Sequence, residues 1–267
     1  ECRLMDEVND AVRNTVRAIA AEAGYSYYDI KNHNGWLRNL MVRYTTTGEL
    51  MVNVCLGYDD PSARDHLLKT LQERVPAIST LLYTINSKRN DSIYDLDPVV
   101  FSGKGHVTEI LKTESGRSFS FLIGPKSFFQ TNTGQAEKLY RVVREMAALT
   151  GNETVYDLYC GTGSIGIFLS DTAKKIIGVE SVPEAVEDAK KNAELNEVSH
   201  AEFFAGDVIK VCNDEFFAQH GRADLVITDP PRAGMHEKLV NKLLEMEAPR
   251  IIYVSCNTAT QARDLQL

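Results

Sequence analysis

The spacing of apolar residues predicts regular structure from the start of the chain. One helical face within residues 5–23 carries Val8, Val12, Val16 and Ile19. Gly24 then ends this predicted helix. Alternating positions in NLMVRYTTTGELMVNVCL predict two strands joined at Thr46–Glu49. A helix over 62–75, a strand in TLLYTIN and a second hairpin around SGRS follow. Residues 1–125 are therefore predicted to form a small α+β domain with a largely antiparallel sheet.

The pattern changes after Pro125. A helix is predicted over 134–149, and short apolar strands then alternate with helices. The predicted strands are TVYDLY, KIIGVE, AEFFAG, DLVITD and IIYVSC. Continuously apolar strands of this kind are typical of a parallel sheet that is buried on both faces. The segment from Ser181 through Val-Pro-Glu predicts a helix start with a capping hydroxyl. Residues 126–267 are therefore predicted to form an α/β domain.

Composition and charge narrow the classes of function. The net charge is −8 and neither half of the chain has an excess of basic residues, which argues against a non-specific nucleic-acid coat. No apolar run approaches the ~18 residues of a membrane span. The five cysteines are odd in number and lack metal-ligand spacing, so we expect reduced thiols, a cytoplasmic location and no metal. Because Glu1 rather than Met comes first, we expect the chain to begin inside a longer protein.

Residues at the carboxyl ends of parallel strands are the ones to search for ligand chemistry. Gly161, Gly163 and Gly166 follow the first strand of the second half and spell G-x-G-x-x-G, a turn that allows close backbone approach to a ligand. Glu180 ends the next strand, about 20 residues further on, where a carboxylate suits a ribose diol. Both NAD and S-adenosylmethionine carry that ribose, so these residues do not separate the two cofactors.

Three further strand ends carry polar or nucleophilic side chains. Asp207 follows the third strand, where its carboxylate can accept a hydrogen bond from the amino group of adenine. DPPRAG follows the fourth, and its two prolines present Asp229 on a stiff turn. In enzymes that methylate exocyclic amines, an aromatic residue follows Asp/Asn-Pro-Pro. Here the fourth position of the motif is Arg232, which argues against that reaction. Cys256 follows the fifth strand. An isolated cysteine is usually a small buried hydrophobe, but this position at the ligand edge favours a nucleophile.

Taken together, PKSFFQTNTGQAEKLY, DLYCGTGS, GVE, DPPRAG and YVSCNTATQARDL resemble the bacterial RNA 5-methyluridine methyltransferases that modify 23S ribosomal RNA or tRNA. The resemblance is strong over 125–267 and looser over 1–125. It implies a central domain followed by a Rossmann-like class I methyltransferase domain at 126–267. The usual SCNP motif is SCNT here, because Thr258 replaces the proline.

The resemblance also implies roles for individual residues. Expected contacts of S-adenosylmethionine, or of its product S-adenosylhomocysteine, are Gln130, Tyr159, Gly161, Gly163, Ser164, Glu180, Asp207 and Asp229. Phe128 is expected to stack on the target base and Arg232 to support the substrate pocket. Cys256 is the expected nucleophile. The family's general base lies downstream of SCN, so we expect it beyond Leu267, with the last strands of the sheet. An iron–sulfur cluster is expected only in a longer protein, with Cys2 as a candidate ligand.

The predicted reaction is transfer of a methyl group to carbon 5 of a uridine in RNA through a covalent cysteine adduct. The expected partner is RNA, with 23S ribosomal RNA placed before tRNA, and the expected state is a monomer. A nicotinamide-dependent oxidoreductase would explain the glycines and Glu180 but gives no role to DPPR or SCN. A non-enzymatic RNA-binding module with a degenerate methyltransferase fold fits poorly, because the net charge is negative and these chemical positions are filled.

Overall fold

The computed structural model describes residues 5–267. Its helices are α1 (Glu7–Ala23), α2 (Pro61–Arg74), α3 (Thr133–Ala147), α4 (Ser164–Leu169), α5 (Pro183–Leu195), α6 (Val208–Val211), α7 (Asp214–His220), α8 (Glu237–Glu245) and α9 (Thr258–Gln266). Its strands are β1 (Leu37–Tyr44), β2 (Leu50–Leu56), β3 (Thr80–Ile85), β4 (Val99–Ser102), β5 (Val107–Lys112), β6 (Ser118–Ile123), β7 (Thr154–Leu158), β8 (Lys175–Glu180), β9 (Ala201–Ala205), β10 (Leu225–Thr228) and β11 (Ile251–Tyr253). No helix among residues 5–267 is long and apolar enough to cross a membrane.

The described chain divides into two compact units. The first contains the residues up to Glu109 together with Ile123–Lys126, and the second contains Ile110–Leu122 and Ser127–Leu267. Most of the β5–β6 hairpin therefore belongs to the second unit, whereas the sequence pattern predicts a boundary after residue 125. The domain boundary at 125/126 stays a prediction.

The first unit is built on a four-stranded sheet in the order β1-β2-β3-β4. The predicted first hairpin is confirmed, because β1 and β2 pair antiparallel. However, β2 and β3 pair in parallel, and α2 forms the connection between them. Apolar side chains of α1 and α2 share one core with the sheet, namely Val12, Val16 and Ile19 from α1 and Leu67, Leu68 and Leu71 from α2. The predicted end of α1 is confirmed, since Gly24 adopts φ 71°.

The second unit is built on a five-stranded sheet in the order β11-β10-β7-β8-β9, in which every pairing is parallel. This confirms the parallel α/β sheet that the apolar strands predicted. The chain starts at the central strand β7, proceeds outward to β9, and then returns to the other side of β7 as β10. Such a reversal of strand order leaves a crevice at the carboxyl ends of the two strands that flank it. The predicted ligand edge therefore lies at the ends of β7 and β10.

Asparagine side chains of α5 bind the β6 strand of the hairpin. Asn196 accepts a hydrogen bond from the Ser120 amide (2.8 Å) and donates to the Ser120 carbonyl (2.7 Å), so that it replaces a neighbouring strand. Asn192 is fully buried, accepts from the Leu122 amide (2.8 Å) and donates to the Thr162 carbonyl (3.2 Å). These bonds hold the strand that leads toward Ser127 against the rest of the second unit.

Gly178, in the middle of β8, allows close packing beneath the first strand-end turn. A Cβ atom there would overlap the Phe203 ring and lie 3.0 Å from the Cys160 sulfur. We therefore expect Gly178→Ala to reduce the free energy of unfolding by ~1–3 kcal/mol through overpacking. The matched control is Gly134→Ala in the first turn of α3, where a Cβ atom has room and alanine favours the helix. Urea unfolding measures both variants, and equal stability of the two would contradict the packing argument.

Candidate active site

Backbone hydrogen bonds extend the parallel ladder one residue past the strand ends. They run from Tyr159 N to Val179 O (2.9 Å), from Gly206 N to Glu180 O (2.8 Å), from Asp229 N to Leu158 O (3.4 Å) and from Val254 N to Thr228 O (2.9 Å). The residues that follow β7, β8, β9, β10 and β11 are thereby held side by side at the carboxyl edge of the sheet. The predicted strand-end side chains thus meet at one edge, as expected for parallel strands.

The turn after β7 has an unusual backbone. Tyr159, Gly161 and Gly163 all have positive φ, at 61°, 52° and 76°. A non-glycine residue in this region is uncommon and marks a conformation that the surroundings impose. A Cβ atom on Gly163 would lie 3.0 Å from the Phe203 ring, whereas one on Gly161 would meet nothing within 4 Å. Gly163 is therefore required for packing, and Gly161 faces open space that a ligand can use.

Glu180 is fixed against this turn by its own carboxylate. Its Oε2 accepts a hydrogen bond from the Gly161 amide (3.1 Å), and its Oε1 accepts from the Val182 amide (2.9 Å) and the Ser181 hydroxyl (3.0 Å). The side chain therefore has one orientation at the edge of the crevice. The predicted capping role of Ser181 is wrong, because Val182 occupies the N-cap of α5 without a side-chain bond. Ser181 instead donates to Glu180, and Pro183 begins the helix.

Asp157 is a functional candidate that the pattern of strand ends does not predict, because it lies within β7. It is 1% exposed, and its Oδ2 accepts a hydrogen bond from the Gly166 amide (2.9 Å). Its Oδ1 has no hydrogen-bond partner, and neither does the buried hydroxyl of Thr162 in the adjacent turn. Burial raises the pKa of Asp157 to about 7. Unpartnered buried oxygens are rare in proteins and point to a ligand that completes them.

Asp229 begins the DPPR turn beside β7. Burial raises its pKa to about 6. In the same unit Tyr140 of α3 is buried, and its hydroxyl lies 2.8 Å from the Ser164 hydroxyl at the start of α4. Burial also raises the pKa of Tyr140, and the charges of Asp229 and Asp157 act in the same direction. The two carboxylates and the Tyr140–Ser164 pair therefore belong to one electrostatic environment at the ends of β7 and β10.

Asp207 has a structural task in addition to its predicted one. It is the N-cap of α6, and its Oδ1 accepts a hydrogen bond from the Ile209 amide (2.8 Å). This bond orients the side chain at the carboxyl end of β9. A contact with adenine stays a prediction and would use the other carboxylate oxygen.

Cys256 differs from the other described cysteines in being exposed. Cys55, Cys160 and Cys212 are buried, and burial raises the pKa of each of these three thiols. Cys256 lies between β11 and α9. Next to it, Asn257 caps α9 by accepting a hydrogen bond from the Ala259 amide (3.1 Å). The thiol that the sequence predicts as nucleophile is therefore the accessible one among the described cysteines, at the carboxyl edge of the sheet.

The DPPR turn and the Cys256 turn are joined by hydrogen bonds. The side chains of Asn257 and Thr260 both donate to the carbonyl oxygen of Arg232, each at 3.3 Å. The side chain of Arg232 is exposed. The predicted substrate residue and the predicted nucleophile therefore lie on neighbouring, connected turns.

The segment before α3 presents one aromatic ring to solvent. Phe128 is 67% exposed, whereas its neighbour Phe129 is buried with its ring 5.6 Å from that of Phe121. Ser127 donates to Asp188 of α5 (2.7 Å) and anchors the segment. Gln130 is half-buried just before α3, whose Tyr140 bonds to Ser164. An exposed ring held on an anchored backbone is suited to stack on a base. The described residues contain no cluster of three or more potential metal ligands.

Comparison with known proteins assigns a family to this arrangement. The model of the tRNA (Uracil-5-)-methyltransferase family matches residues 97–267. A protein of Bacteroides thetaiotaomicron described as an uncharacterized RNA methyltransferase is 50% identical over the whole chain. A protein of Porphyromonas gingivalis with the same description is 48% identical, also over the whole chain. The chain spans 58% and 57% of the length of these two relatives.

Solved structures agree with this result. The Pyrococcus abyssi tRNA (uracil-54, C5)-methyltransferase in complex with S-adenosyl-L-homocysteine matches 95% of this chain and 58% of its own, with 30% identity and a TM-score of 0.74. The Methanocaldococcus jannaschii tRNA m1G37 methyltransferase matches 89% of this chain and 68% of its own, with 17% identity and a TM-score of 0.51. The second match concerns the fold alone.

The buried carboxyl of Asp157 predicts a pH-dependent stability. Its pKa is about 7 in the folded protein and ~3.9 in an unfolded chain. Between these values the folded state binds more protons, so stability falls as the pH rises from ~4 to ~7 and this contribution then stays constant. Urea unfolding without ligand should show that the free energy of unfolding falls more between pH 5 and pH 8 in the wild type than in Asp157→Asn. An equal loss in both proteins would show that Asp157 does not titrate in this range.

Proposed function

Because the chain belongs to the tRNA (uracil-5-)-methyltransferase family, we propose that it takes part in methyl transfer from S-adenosylmethionine to carbon 5 of a uridine in RNA. The observation that carries the proposal is the exposed thiol of Cys256, on the turn next to the DPPR turn. An oxidoreductase would leave this thiol and Arg232 without a task. The chain covers little more than half of its relatives, so the activity is proposed for the whole protein to which these residues contribute.

The crevice fits S-adenosylmethionine by the chemistry of its residues. A Cβ atom on Gly161 would meet nothing within 4 Å, and the buried oxygens Oδ1 of Asp157 and Oγ1 of Thr162, which flank this glycine in the chain, have no hydrogen-bond partner. Buried acceptors of this kind match a cationic ligand with ammonium donors, and the Glu180 carboxylate suits its ribose. We also propose Gln130, Tyr159, Gly163, Ser164, Asp207 and Asp229 as contacts. When bound, S-adenosylmethionine supplies an electrophilic methyl group.

Cys256 supplies the nucleophile that carbon 5 of uracil lacks. Its thiolate adds to carbon 6, and the electron pair of the 5,6 double bond moves toward carbon 5 and carbonyl oxygen 4. Carbon 5 can then form a bond to the methyl group that S-adenosylmethionine would supply, and the bond from that methyl group to the sulfonium sulfur would break to leave S-adenosylhomocysteine. Loss of the proton at carbon 5 returns the electrons, breaks the bond between sulfur and carbon 6 and restores the thiolate. This splits one difficult step into easier ones. The base that takes the proton is proposed to lie beyond Leu267.

Phe128 and Arg232 are proposed to hold the target base. Carbon 6 of a stacked base is out of reach, so the uridine must leave its stack, and an aromatic ring replaces the lost stacking. Phe128 offers such a ring and Arg232 offers donors from the turn beside Cys256. A cytoplasmic location and a monomeric state belong to the same proposal. Cys2, the candidate iron–sulfur ligand, lies outside the described residues.

We propose 23S ribosomal RNA as the substrate and keep tRNA as the alternative. The motifs over 125–267 resemble enzymes for either RNA, and the Pyrococcus abyssi structure is that of a tRNA enzyme. Mapping 5-methyluridine in both RNAs from a deletion strain separates them. Loss from tRNA alone would overturn the ribosomal assignment.

Cofactor binding should depend on Glu180. Glu180→Ala removes the acceptor for the Gly161 amide and the proposed ribose contact, so calorimetry should show S-adenosylhomocysteine bound ~10- to 100-fold more weakly. Glu184→Ala is the matched control, because Glu184 is an exposed acid on the next helix. Tight binding of NADH without binding of S-adenosylhomocysteine would favour the oxidoreductase instead.

The nucleophile can be trapped. Fluorine at carbon 5 cannot leave as a proton, so RNA with 5-fluorouridine at the target should remain bonded to Cys256 in the presence of S-adenosylmethionine. Intact mass and peptide mapping should locate the adduct, Cys256→Ser should give none, and Cys55→Ala, at a buried cysteine, should behave as wild type. An adduct at Cys160 would refute the assignment.

A further inference from the structure

Asp264 is a buried carboxylate on α9 to which the proposed reaction gives no role. It is 3% exposed. A charge removed from water in this way is costly unless it is paired and hydrogen-bonded. An acid kept at such a position therefore needs partners that use its full bonding capacity.

Four donors fill both oxygens of Asp264. Its Oδ2 accepts hydrogen bonds from the Met235 amide (2.7 Å) and the Tyr253 hydroxyl (2.6 Å). Its Oδ1 accepts from Nε (2.9 Å) and Nη2 (2.5 Å) of Arg263. Burial alone would raise the pKa of Asp264, but these hydrogen bonds outweigh burial and hold its pKa below the usual value. The group is therefore a fixed anion at neutral pH.

The partners of Asp264 belong to the two turns of the proposed site. Met235 lies three residues after Arg232, and Tyr253 lies three residues before Cys256. Arg263 adds further bonds to the same segment, because its Nη2 also donates to the carbonyl oxygens of Ala233 (3.0 Å) and Met235 (3.2 Å). One carboxylate therefore joins the segment after the DPPR turn to the strand that leads to the nucleophile.

Gly234 shows how closely this segment approaches α9. It has φ 76°, and a Cβ atom there would lie 2.6 Å from Nη2 of Arg263 and 2.7 Å from Oδ2 of Asp264. The backbone thus lies directly against the carboxylate, at a position where only glycine leaves room. Such contact leaves the segment little freedom to move while Asp264 is charged and in place.

We propose that Asp264 is a positioning residue, whose carboxylate sets the placement of Arg232 and Asp229 relative to the thiol of Cys256. Helix α9 begins two residues after Cys256, so the same helix that follows the nucleophile also holds the opposing turn. Bond formation requires the sulfur and carbon 6 to approach to ~3–3.5 Å, and a misplacement of ~1 Å costs ~100-fold in rate. This inference rests on the proposed function, because it names what aligns that site.

The test compares Asp264→Asn with the wild type. An amide of the same shape presents N–H groups to donors on one side, so it loses bonds either to Met235 and Tyr253 or to Arg263. The rate of adduct formation with 5-fluorouridine RNA should fall ~100-fold. The affinity for S-adenosylhomocysteine should stay near the wild-type value, because the glycine turn and Glu180 keep their own bonds. Hydrogen exchange should increase in residues 232–236 and remain unchanged in residues 158–166.

Two further variants separate alignment from stability. Tyr253→Phe removes one donor and leaves the carboxylate, so it should fold normally and slow adduct formation less than Asp264→Asn does. Glu153→Gln is the matched control at the opposite edge of the same sheet, where the carboxylate accepts three hydrogen bonds from Thr150 and Asn152. It should lower the melting temperature without changing the rate of adduct formation.

Three results would overturn the proposal. Wild-type adduct rates in both Asp264→Asn and Tyr253→Phe would do so. Parallel losses of adduct rate and S-adenosylhomocysteine affinity, in proportion to the loss of stability, would reduce Asp264 to a structural residue. Unchanged exchange in residues 232–236 of Asp264→Asn would show that the carboxylate does not hold the segment. Failure of the proposed function differs from all three, because the wild type itself would then form no adduct while exchange still reports on Asp264.

Discussion

The parallel pairing of β7 with its two neighbours is the constraint on which the site depends. Because all five strands of this sheet run in one direction, every turn that follows a strand leaves at the same edge. The reversal of strand order beside β7 then opens a crevice between the glycine turn and the DPPR turn. One antiparallel strand in place of β10 or β11 would have sent Asp229 or Cys256 to the opposite edge. Strand direction therefore places the proposed catalytic residues at one edge, and individual contacts only adjust their positions there.

The two halves of the fold were not equally predictable from the sequence. The second half was predicted well because continuously apolar strands that alternate with helices are typical of a parallel sheet buried on both faces. In the first half, the spacing of apolar residues located β1, β2 and β3 but not their order in the sheet, because the sequence of one strand does not specify which strand it pairs with. The parallel β2–β3 pair results from the crossover through α2. β4 was missed because it is short and its apolar residues Val99 and Val100 are exposed at an edge.

The site shows a similar division. Glu180, Asp229 and Cys256 were predicted because Glu180 ends a strand and the other two follow one, at the positions where a parallel sheet binds ligands. Asp157 and Asp264 were not, since one lies within a strand and the other within a helix, and only the folded chain shows that both are buried. Ser181 shows the opposite error, because a serine before Val-Pro-Glu has the local pattern of a cap but bonds to the neighbouring carboxylate instead. Local patterns specify what a residue can do, and tertiary contacts decide what it does.

Asp157 and Asp264 also show how the structure separates binding from support. Asp264 accepts four hydrogen bonds from protein donors, so its pKa is lowered and both of its oxygens are already bonded within the protein. Asp157 meets one donor, so burial prevails and its pKa rises to about 7. Burial likewise raises the pKa of the nearby Asp229 to about 6. An underbonded acid is costly to keep in a folded protein, and its charged form is favoured only when a cation or donor arrives from outside. A positively charged ligand at the ends of β7 and β10 would therefore favour the charged forms of Asp157 and Asp229, while the fully bonded Asp264 keeps the turns around it in place.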